Sequence, residues 1–263
     1  MNTVEAPART APLGYLLHLA DNALVLGQRN AEWCGNGPVL EEDIALANMS
    51  LDLIGQARLL YQHAAVVAGE GVTEDSLAYF RDATDFRNYT LLELPHSSDT
   101  SERDYAVTIV RNFLYSALML LLWEGLQKSK DAQLAAIAGK SFKEVRYHFR
   151  HSRDWLVRLG DGTAESRART QAALEHLMPY TQEYWAPSAI EKVANTEGRA
   201  IDAAALKREW DDLVNDALQE AGLQRPAPGT GLPQGKNGQH SDHLAPLLAE
   251  MQSLARAHPN AQW

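Results

Sequence analysis

Residues 131–160 read DAQLAAIAGKSFKEVRYHFRHSRDWLVRLG, and this stretch decides the fold class. Its apolar and small residues recur at three- and four-residue steps, which is the period of one face of an α-helix. The stripe consists of Leu134, Ile137, Ser141, Val145, His148, Ser152, Trp155 and Leu159. Asp131 can cap the N-terminus and Gly160 can end the last turn. The segment therefore predicts one long amphipathic helix.

Helical patterns also dominate the rest of the chain. No proline occurs in residues 39–94 or 96–178, and we find no alternating strand pattern bounded by hairpin turns. The further helices are predicted at residues 13–33, 39–68, 103–128, 164–185 (interrupted at Pro179), 202–223 and 244–258. The second of these is expected to bury Ile44, Ala47, Leu51, Ile54, Tyr61 and Ala65.

The four long helices are joined by a short, a long and a second short connection. This order is typical of a four-helix bundle with one long crossover, the ferritin-like arrangement. We therefore predict an all-α fold, a ferritin-like four-helix bundle with additional C-terminal helices. Residues 1–263 are expected to form a single domain, with a flexible N-terminal tail at 1–12 and a Gly/Pro-rich loop at 225–240 before the last helix.

Composition excludes several classes of function. The 24 Lys and Arg against 34 Asp and Glu give a net charge of −10, whereas nucleic-acid binding needs a cationic face. The single cysteine, Cys34, excludes thiolate metal clusters and is expected to be a small buried residue. The apolar run at residues 113–123 is too short to span a membrane and predicts a buried helix. Because no signal peptide precedes it, a cytoplasmic protein is expected.

A ferritin-like bundle prompts a search for a di-iron ligand set, which is a Glu on two helices and Glu-x-x-His on the other two. The fourth helix has Glu144, but Tyr147 stands three residues later and His148 four. The second helix has Asp52, followed three residues on by Gly55, which has no side chain to ligate a metal. The first and third helices offer Gln28, Glu32 and Glu124.

The set is therefore broken, and two readings remain open. These residues can form a metal site with irregular ligands, or a vestigial polar core in which carboxylates pair with protein groups. Arg58, Lys140 and Arg146 are available as such partners. The polar-core candidates are Gln28, Glu32, Asp52, Glu124, Glu144 and His148.

The Gly-rich loop that carries Lys236 is a separate candidate. It can contact a phosphate or dock another subunit, or be an ordered surface loop. His240 and His243 within and after it form only half of a metal motif.

Ordered strings along nearly the whole chain carry a family resemblance. They are residues 24–29 (LVLGQR), 31–35 (AEWCG), 41–46 (EEDIAL), 51–58 (LDLIGQAR), 143–148 (KEVRYH), 155–163 (WLVRLGDGT), 243–244 (HL), 248–252 (LAEMQ) and 262–263 (QW). The chain resembles the ferritin-like family that contains the C subunits of bacterial phenylacetyl-CoA epoxidase.

The resemblance implies a non-catalytic structural subunit. Its complex epoxidises the aromatic ring of phenylacetyl-CoA in aerobic phenylacetate catabolism, with oxygen and with electrons from an NADPH-dependent reductase. The implied partners are the homologous catalytic A subunit, which carries the di-iron centre, and the other epoxidase components, together with possible self-association. No catalytic residue, metal or cofactor is expected in this chain, and neither nucleic acid nor membrane is an expected partner.

Two alternatives compete with this reading. The chain can be a di-iron carboxylate oxidase in its own right, with Glu32, Asp52, Glu124, Glu144 and His148 as irregular ligands. It can also be a helical interaction protein without an oxygenase role.

Overall fold

The computed structural model describes residues 11–97, 103–227, 229, 231–259 and 261. Within these ranges the regular structure is helical, apart from one antiparallel bridge between Gln234 and Gln239. The α-helices are α1 (Ala11–Ala31), α2 (Leu40–Ala68), α3 (Glu74–Tyr79), α4 (Thr90–Glu93), α5 (Tyr105–Leu126), α6 (Ala132–Gly160), α7 (Ala164–Leu177), α8 (Ala189–Thr196), α9 (Lys207–Ala221) and α10 (Leu244–Ala257). Short 3₁₀ helices lie at Ala83–Asp85, Met178–Trp185, Ala203–Leu206 and Gly235–Asn237.

Two antiparallel helix pairs build the bundle. Helix α1 packs along α2, α5 packs along α6, and the long connection that contains α3 and α4 joins the pairs. Asn30 on α1 and Asn112 on α5 exchange two amide hydrogen bonds of 2.9 Å across the pairs. The all-α, ferritin-like prediction is confirmed, and the extra helices α7 to α10 surround this frame.

Local sequence signals set several helix ends. Asp131 caps α6 by accepting a hydrogen bond from the Leu134 N–H at 3.0 Å, as predicted. Pro179 falls where α7 gives way to a 3₁₀ helix, because proline removes an N–H that a continuing α-helix needs. Gly160 ends α6 beside α9, where a Cβ atom would lie 2.5 Å from the Ala221 carbonyl oxygen. A glycine is therefore required at this crossing.

Helix α5 forms the centre of the core. Every residue from Ala106 to Met119 is buried, whichever side of the helix it occupies, as its all-round apolar sequence predicts. By length and composition this is the one helix among the described residues that is apolar enough to cross a membrane, but 89% of its apolar window is buried inside the protein. A buried helix at the centre of a bundle can be as long and as apolar as a membrane-spanning helix, so this finding is weak evidence for a membrane span.

Several predictions were wrong in detail. Helix α1 begins at Ala11, inside the predicted tail, and residues 1–10 lie outside the described residues. Helix α8 was missed because Pro187 and Gly198 closely bracket it, although Ser188 and Glu191 form a capping box at its start. Cys34 is exposed, not buried, because the chain leaves the bundle at the end of α1.

The predicted buried face of α2 was also wrong: of its six residues only Tyr61 is buried, while Ala47, Ile54 and Ala65 are half-buried. Ile44 is 51% exposed and Leu51 is 67% exposed. The buried face instead contains Ala45, Leu46, Met49, Leu53, Ala57, Leu60, Tyr61 and Ala64. Helix α2 is therefore apolar on both its inner and its outer side, and the outer side has no partner among the described residues.

Candidate functional site

A ladder of polar pairs joins α2 to the antiparallel α6. Each rung places a carboxylate against a histidine or an amide, and the rungs run along most of both helices. They are Glu42–His151 at 2.8 Å, Asp52–His148 at 3.0 Å, Gln56–Glu144 at 2.9 Å and His63–Asp131 at 2.8 Å. Three of the residues predicted to form a metal site or a vestigial polar core, Asp52, Glu144 and His148, belong to this ladder.

Glu144 has protein partners on both carboxylate oxygens. Its Oε2 atom accepts a hydrogen bond from the Gln56 amide at 2.9 Å, and its Oε1 atom lies 3.4 Å from the Lys140 ammonium. Of the three cations predicted to pair with the polar core, Lys140 does so. Arg58 instead pairs with Glu74 at 3.1 Å, and the Arg146 guanidinium lies over the Phe142 ring.

His148 faces the bundle interior and is almost fully buried. Its Nε2 atom is 3.0 Å from Asp52 Oδ2, while the Asp52 side chain remains partly exposed. One turn further on, Ser152 donates its hydroxyl to the His148 carbonyl oxygen at 2.7 Å. The Nε2 atom of His148 and the Asp52 carboxylate are therefore hydrogen-bond partners of each other.

The two end rungs are also paired, and in one of them the buried Nδ1 atom of His151 has no hydrogen-bond partner among the described residues. Glu42 Oε2 accepts hydrogen bonds from the Tyr105 hydroxyl at 2.6 Å and from His151 at 2.8 Å. At the other end, burial opposes the ionisation of Asp131. The hydrogen bonds from His63 and from the Leu134 N–H outweigh burial and lower the pKa of the Asp131 carboxyl.

The residues present do not fit a di-iron centre. Gly55 lies on the outer side of α2, where a Cβ atom would meet nothing within 4 Å. Tyr147 is 39% exposed, with the Arg150 guanidinium 5.8 Å from its ring centre. Throughout the described part of the chain, no three His, Cys, Asp or Glu side chains are arranged to hold a metal ion. The ladder supplies pairs of donors that neutralise each other, not a shell that converges on two metals.

Three predicted candidates lie away from the ladder. Glu32, at the end of α1, receives a 2.7 Å hydrogen bond from Arg29 and lies 3.4 Å from His96. Gln28 is half-buried, with no side-chain hydrogen bond to any residue that the structure describes. Glu124 is exposed near the end of α5, so its assignment to the polar core was wrong. A carboxylate near a helix end reaches solvent easily, which explains that error.

The loop around Lys236 lies at the surface, and among its described residues only Gly235 and Lys236 are buried. The Lys236 ammonium is almost fully buried, 2.8 Å from Glu191 Oε2, so the exposed phosphate-binding interpretation was wrong. His240 contacts Glu93 at 3.1 Å and the Phe86 carbonyl oxygen at 3.0 Å. These partners are distant in sequence, so spacing alone gave no signal for them.

Sequence reasoning also missed two buried polar clusters. In the first, Asp21 on α1 binds Arg81, the Tyr61 hydroxyl and the Arg87 N–H. Asp21 is the one acidic residue within α1, and it was the available signal, because a buried carboxylate requires partners.

The second cluster centres on His96, whose Nε2 atom lies 2.7 Å from the Arg29 carbonyl oxygen. The Trp33 indole and the Thr108 hydroxyl both approach its Nδ1 atom, at 3.2 and 2.7 Å. Burial, and then the nearby Arg111 guanidinium, lower the pKa of His96 to about 2. This imidazole is therefore neutral in the folded protein at ordinary pH.

These features define a class: a ferritin-like helical bundle in which protein side chains pair with one another along the α2–α6 interface. The chain belongs to the family described as "Phenylacetic acid catabolic protein", which it matches over residues 1–263. It is 45% identical over 249 residues to the C subunit of 1,2-phenylacetyl-CoA epoxidase from Escherichia coli (strain K12). That alignment covers 95% of this chain and 98% of the relative.

Proposed function

We propose that this chain is a non-catalytic structural subunit of a multicomponent oxygenase that epoxidises the aromatic ring of phenylacetyl-CoA. Its partner is a homologous catalytic A subunit, which binds the di-iron centre. Electrons come from NADPH through a reductase component, and the assembly acts in the cytoplasm during aerobic phenylacetate catabolism. Similarity to the Escherichia coli epoxidase component, along nearly the full length of both chains, supports this choice of complex.

One observation carries the non-catalytic part of the proposal. Asp52 with His148 and Gln56 with Glu144 pair across α2 and α6 at 3.0 and 2.9 Å, in the region where a di-iron bundle needs ligands free to face the metals. Side chains paired in this way stabilise the contact between two helices. We infer that the ladder replaces a metal centre as the element that holds the bundle interior together.

The experiment is reconstitution of the oxygenase from separately purified components, with phenylacetyl-CoA consumption as the readout. The isolated chain should not consume phenylacetyl-CoA, and omission of this chain from the mixture should lower turnover. A Glu144→Gln variant should keep turnover once assembled, because Gln can still hydrogen-bond to Gln56. Glu41→Gln, an exposed carboxylate outside the ladder, is the matched control.

Glu144→Gln that assembles with normal stability but abolishes turnover would show that Glu144 is catalytic, and the proposal would then be wrong. Loss of turnover together with loss of assembly would instead indicate a structural role. Thermal unfolding and gel filtration of each variant separate these outcomes.

A further inference from the structure

A pocket of about 430 Å³ lies at the end of the bundle where α2, α5 and α7 begin. The N-cap residues of these three helices, Val39, Asp104 and Thr163, all line it. Small-molecule sites in proteins have volumes of roughly 300–1,000 Å³, so the pocket is large enough for a compact organic ligand. No member of the polar ladder lines it, so it is separate from the site described above.

Three aromatic side chains form part of the pocket wall. They are Trp33 just after α1, Tyr105 at the start of α5 and Trp155 on α6. The centre of the Tyr105 ring lies 5.7 Å from the Trp33 ring centre and 5.5 Å from the Trp155 ring centre, and both contacts are edge-to-face. This packing holds the three rings in fixed relative orientations.

The polar atoms of Trp33 and Tyr105 have protein partners outside the pocket. The Trp33 indole N–H donates to the Thr108 hydroxyl at 2.8 Å, and the Tyr105 hydroxyl donates to Glu42 at 2.6 Å. Neither Thr108 nor Glu42 lines the pocket. These two rings therefore present carbon atoms to a ligand, and an aromatic ligand packs well against such a wall in an offset or edge-to-face arrangement.

The charged residues of the pocket leave one guanidinium edge available to a ligand. Both lining carboxylates face Arg169, which lies 3.1 Å from Asp104 and 3.6 Å from Glu165. The Nη1 atom of Arg103 donates to the Glu32 carbonyl oxygen at 2.7 Å. This bond directs the Arg103 side chain and leaves its Nε and Nη2 atoms, which form one edge of the guanidinium, free to donate to an anion.

An aromatic wall beside a free guanidinium edge fits a flat ring that carries a carboxylate, because Arg binds a carboxylate through two parallel hydrogen bonds. The N-terminal ends of the three helices add partial positive charge around the pocket. We propose that this pocket binds a small aromatic carboxylic acid in its ionised form. Its ring packs against Trp33, Tyr105 and Trp155, and its carboxylate binds Arg103. The inference rests on the pocket alone and does not depend on the oxygenase role.

The test is a ligand-observed NMR titration of the full chain with three probes. They are 2-naphthoate, its neutral isostere 2-naphthamide, and the saturated analogue decahydronaphthalene-2-carboxylate. 2-Naphthoate should bind at one site per chain. 2-Naphthamide should bind roughly tenfold or more weakly because it lacks the negative charge, and the saturated acid should also bind more weakly because it lacks a flat aromatic ring.

Two variants locate the ligand in the pocket. Arg103→Gln should weaken the binding of 2-naphthoate roughly tenfold or more and leave the affinity for 2-naphthamide unchanged, whereas a misfolded chain would lose both. Trp155→Leu keeps the wall apolar but removes one ring, so it should weaken the binding of both probes. The matched control is Arg208→Gln, at an exposed position on α9 outside the pocket, which should bind both probes as the unmodified chain does.

Three results would overturn the proposal. 2-Naphthoate can fail to bind the unmodified chain, or it can bind Arg103→Gln and Trp155→Leu as tightly as the unmodified chain, which would place it elsewhere on the protein. The three probes can also bind the unmodified chain with equal affinity. In that case neither the carboxylate nor the aromatic ring determines binding, and the assigned class of ligand is wrong.

Discussion

Asp21 has partners on both carboxylate oxygens in a fully buried position. Arg81 contacts both oxygens, the Tyr61 hydroxyl donates to Oδ1 at 2.6 Å, and the Arg87 N–H donates to Oδ2 at 2.7 Å. Removing one member of a buried ion pair leaves the other charge without compensation, which costs about 3–5 kcal/mol. This cluster connects α1 and α2 to the long crossover.

We predict that Asp21→Ala lowers the free energy of unfolding by about 3–5 kcal/mol, measured by urea denaturation. Asp154→Ala, an exposed position on α6, is the control and should change it by no more than about 0.5 kcal/mol. An Asp21→Ala variant as stable as the control would show that the buried cluster does not stabilise the fold.

His96 predicts a specific dependence of stability on pH. Its pKa is about 2 in the folded protein, because of burial and the Arg111 guanidinium, against an ordinary value of about 6.5. As pH falls below the ordinary value, the unfolded chain takes up a proton on this residue while the folded chain does not. The stability contributed by neutral His96 is therefore complete above about pH 6.5 and declines at lower pH.

The expected slope from His96 alone is about 1.4 kcal/mol per pH unit between pH 6 and pH 4. Burial also lowers the pKa of His18, which adds to the slope in the same direction. In His96→Gln the slope should be shallower by about the stated amount, measured as urea unfolding against pH. An unchanged slope would contradict a neutral, buried His96.

Among the helices, α2 most clearly shows what sequence periodicity can and cannot determine. Its length and ends were predicted correctly, but its apolar residues occupy both sides, so the three-four pattern did not identify the buried face. Its outer side carries a row of residues, here called the α2 ridge, that consists of Leu40, Ile44, Ala47, Leu51 and Gly55. The three large apolar residues of the row are exposed, and Ala47 and Gly55 are half-buried. The α6 pattern was unambiguous because its outer side is charged, and its predicted buried positions were confirmed from Leu134 to Ser152.

The α2 ridge gives a prediction for assembly with the proposed catalytic partner. Fifteen residue steps of helix make it about 22 Å long, and Gly55 at its end permits close approach by another helix. Leu51→Lys should weaken the complex roughly tenfold or more, because burying a leucine contributes about 1.5–3 kcal/mol. Val193→Lys, at a 48% exposed position on α8, is the control, and binding is measured by titration calorimetry. Equal affinity for both variants would place the contact between the two proteins elsewhere.

The site was harder to predict than the fold for a physical reason. Helical spacing shows which residues share a face, so the break in the ligand pattern at Gly55 and Tyr147 could be found directly. It does not show which residue on another helix lies opposite. The pairing of Glu144 with Gln56, and of Lys236 with Glu191, depends on tertiary packing between segments 88 and 45 positions apart. The exposure of Glu124 depends on packing in the same way.

For the whole molecule, we propose a bundle whose interior polar positions support assembly while the metal chemistry occurs in another subunit. The two rival hypotheses make different predictions at this scale. A di-iron oxidase would bind metal and turn over alone, and an interaction protein without an oxygenase role would not join the epoxidase components.

The most direct test is iron analysis of the purified chain and of its complex with the catalytic subunit, after expression in iron-supplemented medium. We predict no stoichiometric iron in the isolated chain. In the complex, all the iron should remain with the catalytic subunit when the two are separated. About two irons per isolated chain, lost on Glu144→Gln or His148→Gln substitution, would contradict the central claim that this protein is not itself a metal enzyme.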